Sequence, residues 1–485
     1  VAAVTGVFSL IAVVGVVGRQ AIGDAGYRLA AAPGQGTNGP EPGGPSPAPG
    51  GKTDAGPGGQ SPDGPTGKGW DRGADDGLGW DGNSGDAEPW HGGDWDGKGS
   101  DGKAREVEDV PCAANSLIAA ITVANANGGG HLKLAHGCVY TLTADDGDGN
   151  GLPQIVQSIT IKGEHSTIVR EPTADPFRIF NVGNGGHLTL HKTTVAGGQT
   201  TGVVPSNGGG ILVLPGGTAA LNETTVTGNI SAGGGGGLFN SGITVAHHST
   251  ISDNSALGSG GGVTNGGGGL LKMNESEVSW NSAADDGGGI ADAGTSLINK
   301  TKILDNRALD NGGGIDTNGA NTTVTHSLIS GNSADDGGGL FATGSTVNLR
   351  HVTVSRNRAE ANGGGIALTG GTEAVIEKSA IVDNIANGDA AGINVVASTL
   401  TLRDSKVAGN LALGVGSTAG GIQSTGTSVV SLVNVKVTDN VATTAPGGIR
   451  IEVPGDIEVD NGSTIIANRP TNCLGSPVEV PNCFG

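Results

Sequence analysis

The sequence predicts an all-β chain folded as a right-handed parallel β-helix, a solenoid opened by an N-terminal amphipathic capping helix and preceded by a disordered N-terminal linker. Three observations carry that prediction. A glycine block followed by an aliphatic residue recurs every 25 to 29 residues between Ile211 and Ile449. An asparagine recurs with nearly the same period. The chain holds 94 glycines but only 3% aromatic residues and one methionine, an inventory suited to narrow stacked coils.

The order of the chain supports three regions. Residues 1–32 read as a signal peptide or a membrane anchor, because residues 1–18, VAAVTGVFSLIAVVGVVG, are apolar and uncharged. The small residues Leu29, Ala30, Ala31 and Ala32 offer a cleavage site, which favours the signal peptide. The expected location is therefore extracellular or cell-surface, with membrane contact only through an uncleaved N-terminal segment. Residues 33–105 form a Gly/Pro/Asp/Trp-rich linker that cannot bury enough apolar surface to offset the entropy of ordering. Its tryptophans, Trp70, Trp80, Trp90 and Trp95, are spaced as aromatics that stack on sugars are, or as drift in an exposed tether.

Residues 106–485 carry the solenoid. It opens with Ser116 to Ala126, where Leu117, Ile118, Ile121 and Ala124 fall on one helical face behind Asn115 or Ser116 as N-cap. A helix laid across the first coil would cover its apolar cross-section and its unpaired strand edges. Short alternating runs follow: Leu132 and Leu134, then Ile155, Ile159 and Ile161, then Phe177, Ile179 and Phe180, then Leu188, Leu190 and Val195. All four cysteines lie at the ends of this region and suggest two local staples, Cys112 with Cys138 and Cys473 with Cys483, formed in an oxidising compartment.

Within the repeat, the glycine block ends on Ile211, Leu238, Val263, Ile290, Ile315, Leu340 and Ile366, and in weaker form on Ile393, Ile422 and Ile449. The asparagine column runs Asn229, Asn254, Asn281, Asn306, Asn332, Asn357, Asn384, Asn410, Asn440 and Asn468. Three residues before it lies a β-branched column from Val226 to Val437, and two residues after it a nearly unbroken alanine column from Ala256 to Ala442. Both columns are assigned to the interior. Asparagine tolerates the left-handed backbone that a tight corner demands, and amides one coil apart, about 4.8 Å, can bond as a ladder. One such coil cannot bury enough to fold alone, so neighbouring coils must share a core and pair their strands.

The segment CAANSLIAAITVANANGGGHLKLAHGCVYTL resembles the N-terminal cap of secreted bacterial β-helix proteins, and SGNSADDGGGLF resembles the polymorphic outer-membrane protein repeat of the pectin-lyase-like superfamily. The resemblance spans nearly all of residues 110–470. It implies a secreted or surface-exposed, often adhesin-like protein, in a superfamily that also contains polysaccharide lyases and hydrolases.

The formal charge of −20 leaves no basic stripe for a phosphate backbone, so nucleic acid is not expected as a partner. Polysaccharide, cell-wall or matrix surfaces are. Just before the glycine block runs a column of Asp286, Asn311, Asp336, Asn362 and Asp389, beside a second one of Asp285, Asp310 and Asp335. Asp286, Asp336 and Asp389 are the candidate metal ligands, for calcium, against the plainer reading of a polar turn; no other cofactor is expected. Arg350, Arg356, Arg358, Arg403 and His351 are the candidate bases, against the reading of solvated charges. His247 and His248 form a pair with no carboxylate or cysteine assigned to it, which disfavours zinc. The expected function is non-catalytic, adhesin-like or polysaccharide-binding; the alternative, a polysaccharide lyase or glycoside hydrolase, requires carboxylates and a base on the floor of one groove.

Overall fold

A computed structural model describes residues 107–202 and 206–485, all within one compact unit, Ser84–Gly485. The apolar N-terminal segment and the linker with its four tryptophans lie outside the described residues.

Strand β1 (Val107–Val110) and helix α1 (Ala114–Ala126) come first, followed by β2 (Gly130–Leu134), β3 (Val139–Leu142) and the long β4 (Ser158–Arg170). Helix α1 buries Leu117, Ala120, Ile121 and Ala124 against the strands that follow; of the predicted face, Leu117, Ile121 and Ala124 are buried, while Ile118 is only partly so and Ala120 is buried instead. Its start differs from expectation. Ala113 is the N-cap, in an extended conformation and with no side-chain cap, while Asn115 and Ser116 lie inside the first turn. The disulfide between Cys112 and Cys138 holds the lead-in to α1 beside the residue that precedes β3.

From β4 onward the chain winds as a right-handed parallel β-solenoid of about 13 turns. One coil shows the plan: Ile290–Asp292, Thr295–Asn299, Lys302–Leu304 and Arg307–Ala308 are its strands, and each pairs in parallel with its counterpart one coil on. The strands stack into sheets of 25, nine and eleven members. The largest takes two strands from each coil and bends between them at a left-handed residue, such as Lys300.

The interior is one apolar cluster running from Val110 to Val480. Strand residues alternate between it and solvent, which the thirteen residues of β4 show along their whole length. The β-branched column from Val226 to Val437 is fully buried. The alanine column is buried too, and Ala359, Ala386, Ala412 and Ala442 pack with Ala391 in a satellite cluster outside the main core.

Each ladder asparagine is buried and fully engaged. The amide of Asn306 donates to Asn332 Oδ1 at 3.0 Å and to the backbone carbonyl of Val278 at 2.9 Å, while Asn306 Oδ1 accepts from the side-chain amide and backbone N–H of Asn281, both at 3.0 Å. The same pattern repeats from Asn229 to Asn468. Asn472, which breaks the period, closes the series by accepting from both nitrogens of Asn468. At the other end Asn229 Oδ1 accepts from the Gly198 N–H.

The left-handed backbone falls one residue earlier than predicted. Asp253, Trp280, Asp305, Arg356, Asp383 and Asp439 have φ between 52° and 58°, with Gly228, Gly331 and Gly409 in the equivalent place. The ladder position therefore selects asparagine for its inward amide, and the residue before it turns the chain.

The glycine block and the asparagine ladder share a period because they touch. A Cβ placed on Gly314 would lie 2.6 Å from the Gly339 carbonyl oxygen and 3.0 Å from Asn332 Nδ2. Gly210, Gly237, Gly262, Gly289, Gly339, Gly365, Gly392, Gly421 and Gly448 meet the ladder in the same way. The chain after Ile451 ends in a tail in which the Cys473–Cys483 disulfide closes a short loop.

Candidate functional site

The long exposed corner of the largest sheet carries left-handed residues that stack coil on coil: Lys192, Glu223, His248, Glu275, Lys300, His326, His351, Lys378, Asp404 and Asn434. Their side chains point outward and interact along the stack. Lys192 pairs with Glu223 at 3.6 Å, Glu275 with both His248 at 3.0 Å and Lys300 at 2.9 Å, and the rings of His326 and His351 stack with centroids 4.7 Å apart.

Toward the C-terminal end this corner opens into a groove of about 570 Å³. His351, Lys378, Asp404 and Asn434 form one wall, Lys406 and Lys436 stand opposite, and Val352, Ser379 and Ser405 make a buried floor. The floor is held by cross-coil bonds, from the Val352 N–H to Ser379 Oγ at 3.0 Å and from the Ser379 N–H to Ser405 Oγ at 3.1 Å. Parallel register places Lys406 directly beside Lys436, about 4.8 Å away along the stack. Lys378, Lys406 and Lys436 are exposed and form no ion pair among the described residues. Asp404, the groove's carboxylate, accepts from Asn434 Nδ2 at 2.7 Å. Slight desolvation, followed by the positive neighbours His326, Lys378 and Arg350, holds the exposed His351 imidazole below its ordinary pKa. A chain with a formal charge of −20 thus gathers three unpaired cations around one rigid concavity.

The predicted bases do not converge. Arg350 and Arg403 share a column, separated by Glu377, which pairs with Arg403 at 3.4 Å. Arg356 turns a different corner, and Arg358 pairs with Glu360 at 3.1 Å on the nine-stranded sheet. Only His351 lines the groove. His247 and His248 do have a carboxylate: Glu275, one coil on, lies within 4.8 Å of both rings' ligand atoms, though Lys300 holds its other oxygen.

Asp286, Asp336 and Asp389 sit on alternate coils and do not come together. Each is tied into its turn. Asp286 Oδ1 accepts from both nitrogens of Asn311, Asp336 Oδ1 from the Asn362 N–H at 2.7 Å, and Asp389 Oδ1 from the Thr418 N–H at 2.6 Å. The residues that do cluster are Asp285, Asp286 and Asp310, with one oxygen from each within 4.8 Å of the others. Asp316, on the eleven-stranded sheet, was not predicted. It is 6% exposed, and burial, reinforced by the charges of Asp286, Asp285 and Asp292, pushes its carboxyl up to about 8.

A second cavity lies at the first coils, beside Arg178, which is 1% exposed. Its guanidinium donates to Asn150 Oδ1 and to the carbonyls of Asn207 and Gly208, so this cation serves to join coils. Burial lowers its pKa to about 10.

Part of the chain matches a known family model. Residues 336–464 match the family model described as the right-handed beta helix region. No curated protein matches the chain. Among solved structures, it is similar to the A-module of a mannuronan C-5 epimerase from Azotobacter vinelandii, at 17% identity, with 72% of this chain and 94% of that one covered and a TM-score of 0.41. It is also similar to the tailspike protein of the E. coli bacteriophage HK620, solved in complex with a pentasaccharide, at 14% identity, with 72% and 74% covered and a TM-score of 0.29.

Proposed function

We propose that this protein is an exported, non-catalytic β-helix that binds an anionic polysaccharide of a cell wall or matrix in the groove between His351 and Lys436. The observation that carries the proposal is the set of three unpaired lysines around a rigid floor in a strongly acidic chain. Lysines left without partners at adjacent coils repel one another, a cost that an anionic ligand relieves. A polymer with a carboxylate or sulfate on successive sugars would meet Lys378, Lys406 and Lys436 in turn.

Two disulfides at the ends of the solenoid suit an oxidising, extracellular location. In this reading α1 caps the first coil and the cysteine-closed tail covers the last, so that neither end offers bare strand edges. The net charge keeps the solenoid soluble and makes capture of a polyanion local and salt-sensitive.

The test is co-sedimentation of the purified protein with polygalacturonate, alginate and a sulfated glycan against neutral dextran, while ultraviolet absorbance follows unsaturated sugars. Retention on the anionic polymers without product is expected. Sustained release of unsaturated products would replace binding by the lyase reading, and equal retention on dextran would remove the role of the lysines.

A further inference from the structure

We propose that His247, His248 and Glu275 form a binding site for one zinc ion. The site lies on the same sheet corner as the lysine groove, three coils before His351, and does not depend on what that groove binds.

The fold brings the three donors together. His247 ends the strand Ile243–His247 and is fixed in register between Asn222 and Asn274. In a regular strand the next side chain would point to the opposite face. His248 instead turns the corner in the left-handed conformation, at φ 47°, and the two rings meet edge to face with centroids 4.1 Å apart. Glu275 occupies the same corner one coil on, at φ 50°, with its Oε2 3.0 Å from His248 Nε2. One ligand atom from each of the three residues lies within 4.8 Å of the other two. Donors on a tetrahedral zinc ion, bound at about 2.0 to 2.2 Å, sit roughly 3.3 to 3.6 Å apart, so small side-chain rotations complete the set. His248 and Glu275 have room for them, with side-chain exposures of 49% and 33%.

The donor chemistry selects the metal. Two imidazole nitrogens and a carboxylate suit zinc, whereas calcium and magnesium take oxygen ligands. Among the described residues no other group of three combines imidazole and carboxylate within that distance. The hydrogen bond from Lys300, aided by the charges of Lys300, His248 and His247, holds the Glu275 carboxyl below its ordinary range, so it is anionic at neutral pH. Lys300 Nζ donates to Oε1 at 2.9 Å, which orients the carboxylate and leaves Oε2 for the metal, as outer contacts to ligating carboxylates do. An ion pair alone accounts for Lys300 and Glu275 but not for two imidazoles converging on the same carboxylate. In the free chain the Nε2–H of His248 bridges to Oε2. Zinc takes the place of that hydrogen, and the neutral imidazole carries its proton on Nδ1 instead. The fourth position faces solvent and takes water.

The experiment is isothermal titration of the untagged, EDTA-treated, dialysed full chain with zinc chloride in a calcium-containing buffer, repeated on variants His248→Asn, Glu275→Gln and His326→Asn. Asparagine adopts the left-handed backbone, so it removes an imidazole while keeping the corner. The expected result is a tight zinc site that calcium does not block. It is weakened at least about tenfold in His248→Asn and Glu275→Gln and unchanged in His326→Asn, which alters the stacked histidine pair on the same corner. Absence of zinc binding by the unmodified chain, an isotherm unaltered by His248→Asn, or an equal loss in His326→Asn overturns the proposal.

Discussion

Asn229 donates its side-chain amide to Asn254 Oδ1 at 3.0 Å across 25 residues of sequence, and Asn254 hands the same bond on to Asn281 at 3.0 Å. These buried amides tie successive coils together. Each also takes up a backbone carbonyl of the coil before it, so removing a single member strands donors and acceptors on both sides.

Asn306→Ala is therefore expected to cost about 3 kcal/mol or more, because it leaves Asn281, Val278 and Asn332 each short of a partner in the interior. Asn321→Ala, at an exposed strand position with no side-chain bond, should change stability by no more than about 0.5 kcal/mol. Urea denaturation of the two variants checks the contrast. Equal effects would show that the ladder adds nothing beyond strand pairing.

The contact between the glycine block and the ladder makes a second prediction. Gly314→Ala brings a methyl group to 2.6 Å from the Gly339 carbonyl oxygen and should destabilise by about 2 to 3 kcal/mol. Gly267→Ala has no atom closer than 4.0 Å and should be neutral or stabilising by up to about 1 kcal/mol. Thermal denaturation distinguishes them.

His191 predicts a pH dependence. Its Nε2 is buried without a hydrogen-bonding partner, and burial, then the charge of Lys162, lowers its pKa below the ordinary histidine value. The imidazole is thus held neutral in the folded chain. Its contribution is fully present above the unfolded pKa of about 6.5 and is lost as pH falls through that value toward the folded pKa. His191→Gln should flatten the fall in thermal midpoint between about pH 7.5 and about pH 5 relative to the parent. An unchanged slope would assign the acid sensitivity to other groups.

How much of this was legible in the sequence depends on whether a feature repeats. The β-branched wall, the alanine corner and the asparagine ladder recur through the glycine-marked coils, so a single chain read in register reveals them. The left-handed position was misplaced by one residue because asparagine is a favoured left-handed residue, whereas here its value lies in an inward amide. The groove was not visible because its lysines belong to two columns. Lys378 turns the corner, while Lys406 and Lys436 stand two residues past it, among Thr353 and Ala380. Asp316 was hidden because its column has no fixed chemistry, running through Leu212, Phe239, Thr264, Ala291, Phe341, Ala367, Asn394, Gln423 and Arg450. Glu275 was missed as the partner of His248 because 27 residues separate them, and only parallel stacking brings them to 3.0 Å. Regular columns announce the scaffold, and departures from them mark the candidate sites.

The measurement closest to the central claim is the affinity of the parent chain and of a Lys406→Glu, Lys436→Glu double variant for polygalacturonate, by titration calorimetry at low and at high salt. Both residues are exposed, so the fold should persist. The parent is expected to bind with an affinity that falls as salt rises, and the double variant to bind at least about tenfold more weakly at low salt. Equal affinity in the two proteins, or binding by the parent that salt does not weaken, would contradict a polyanion site built on these lysines.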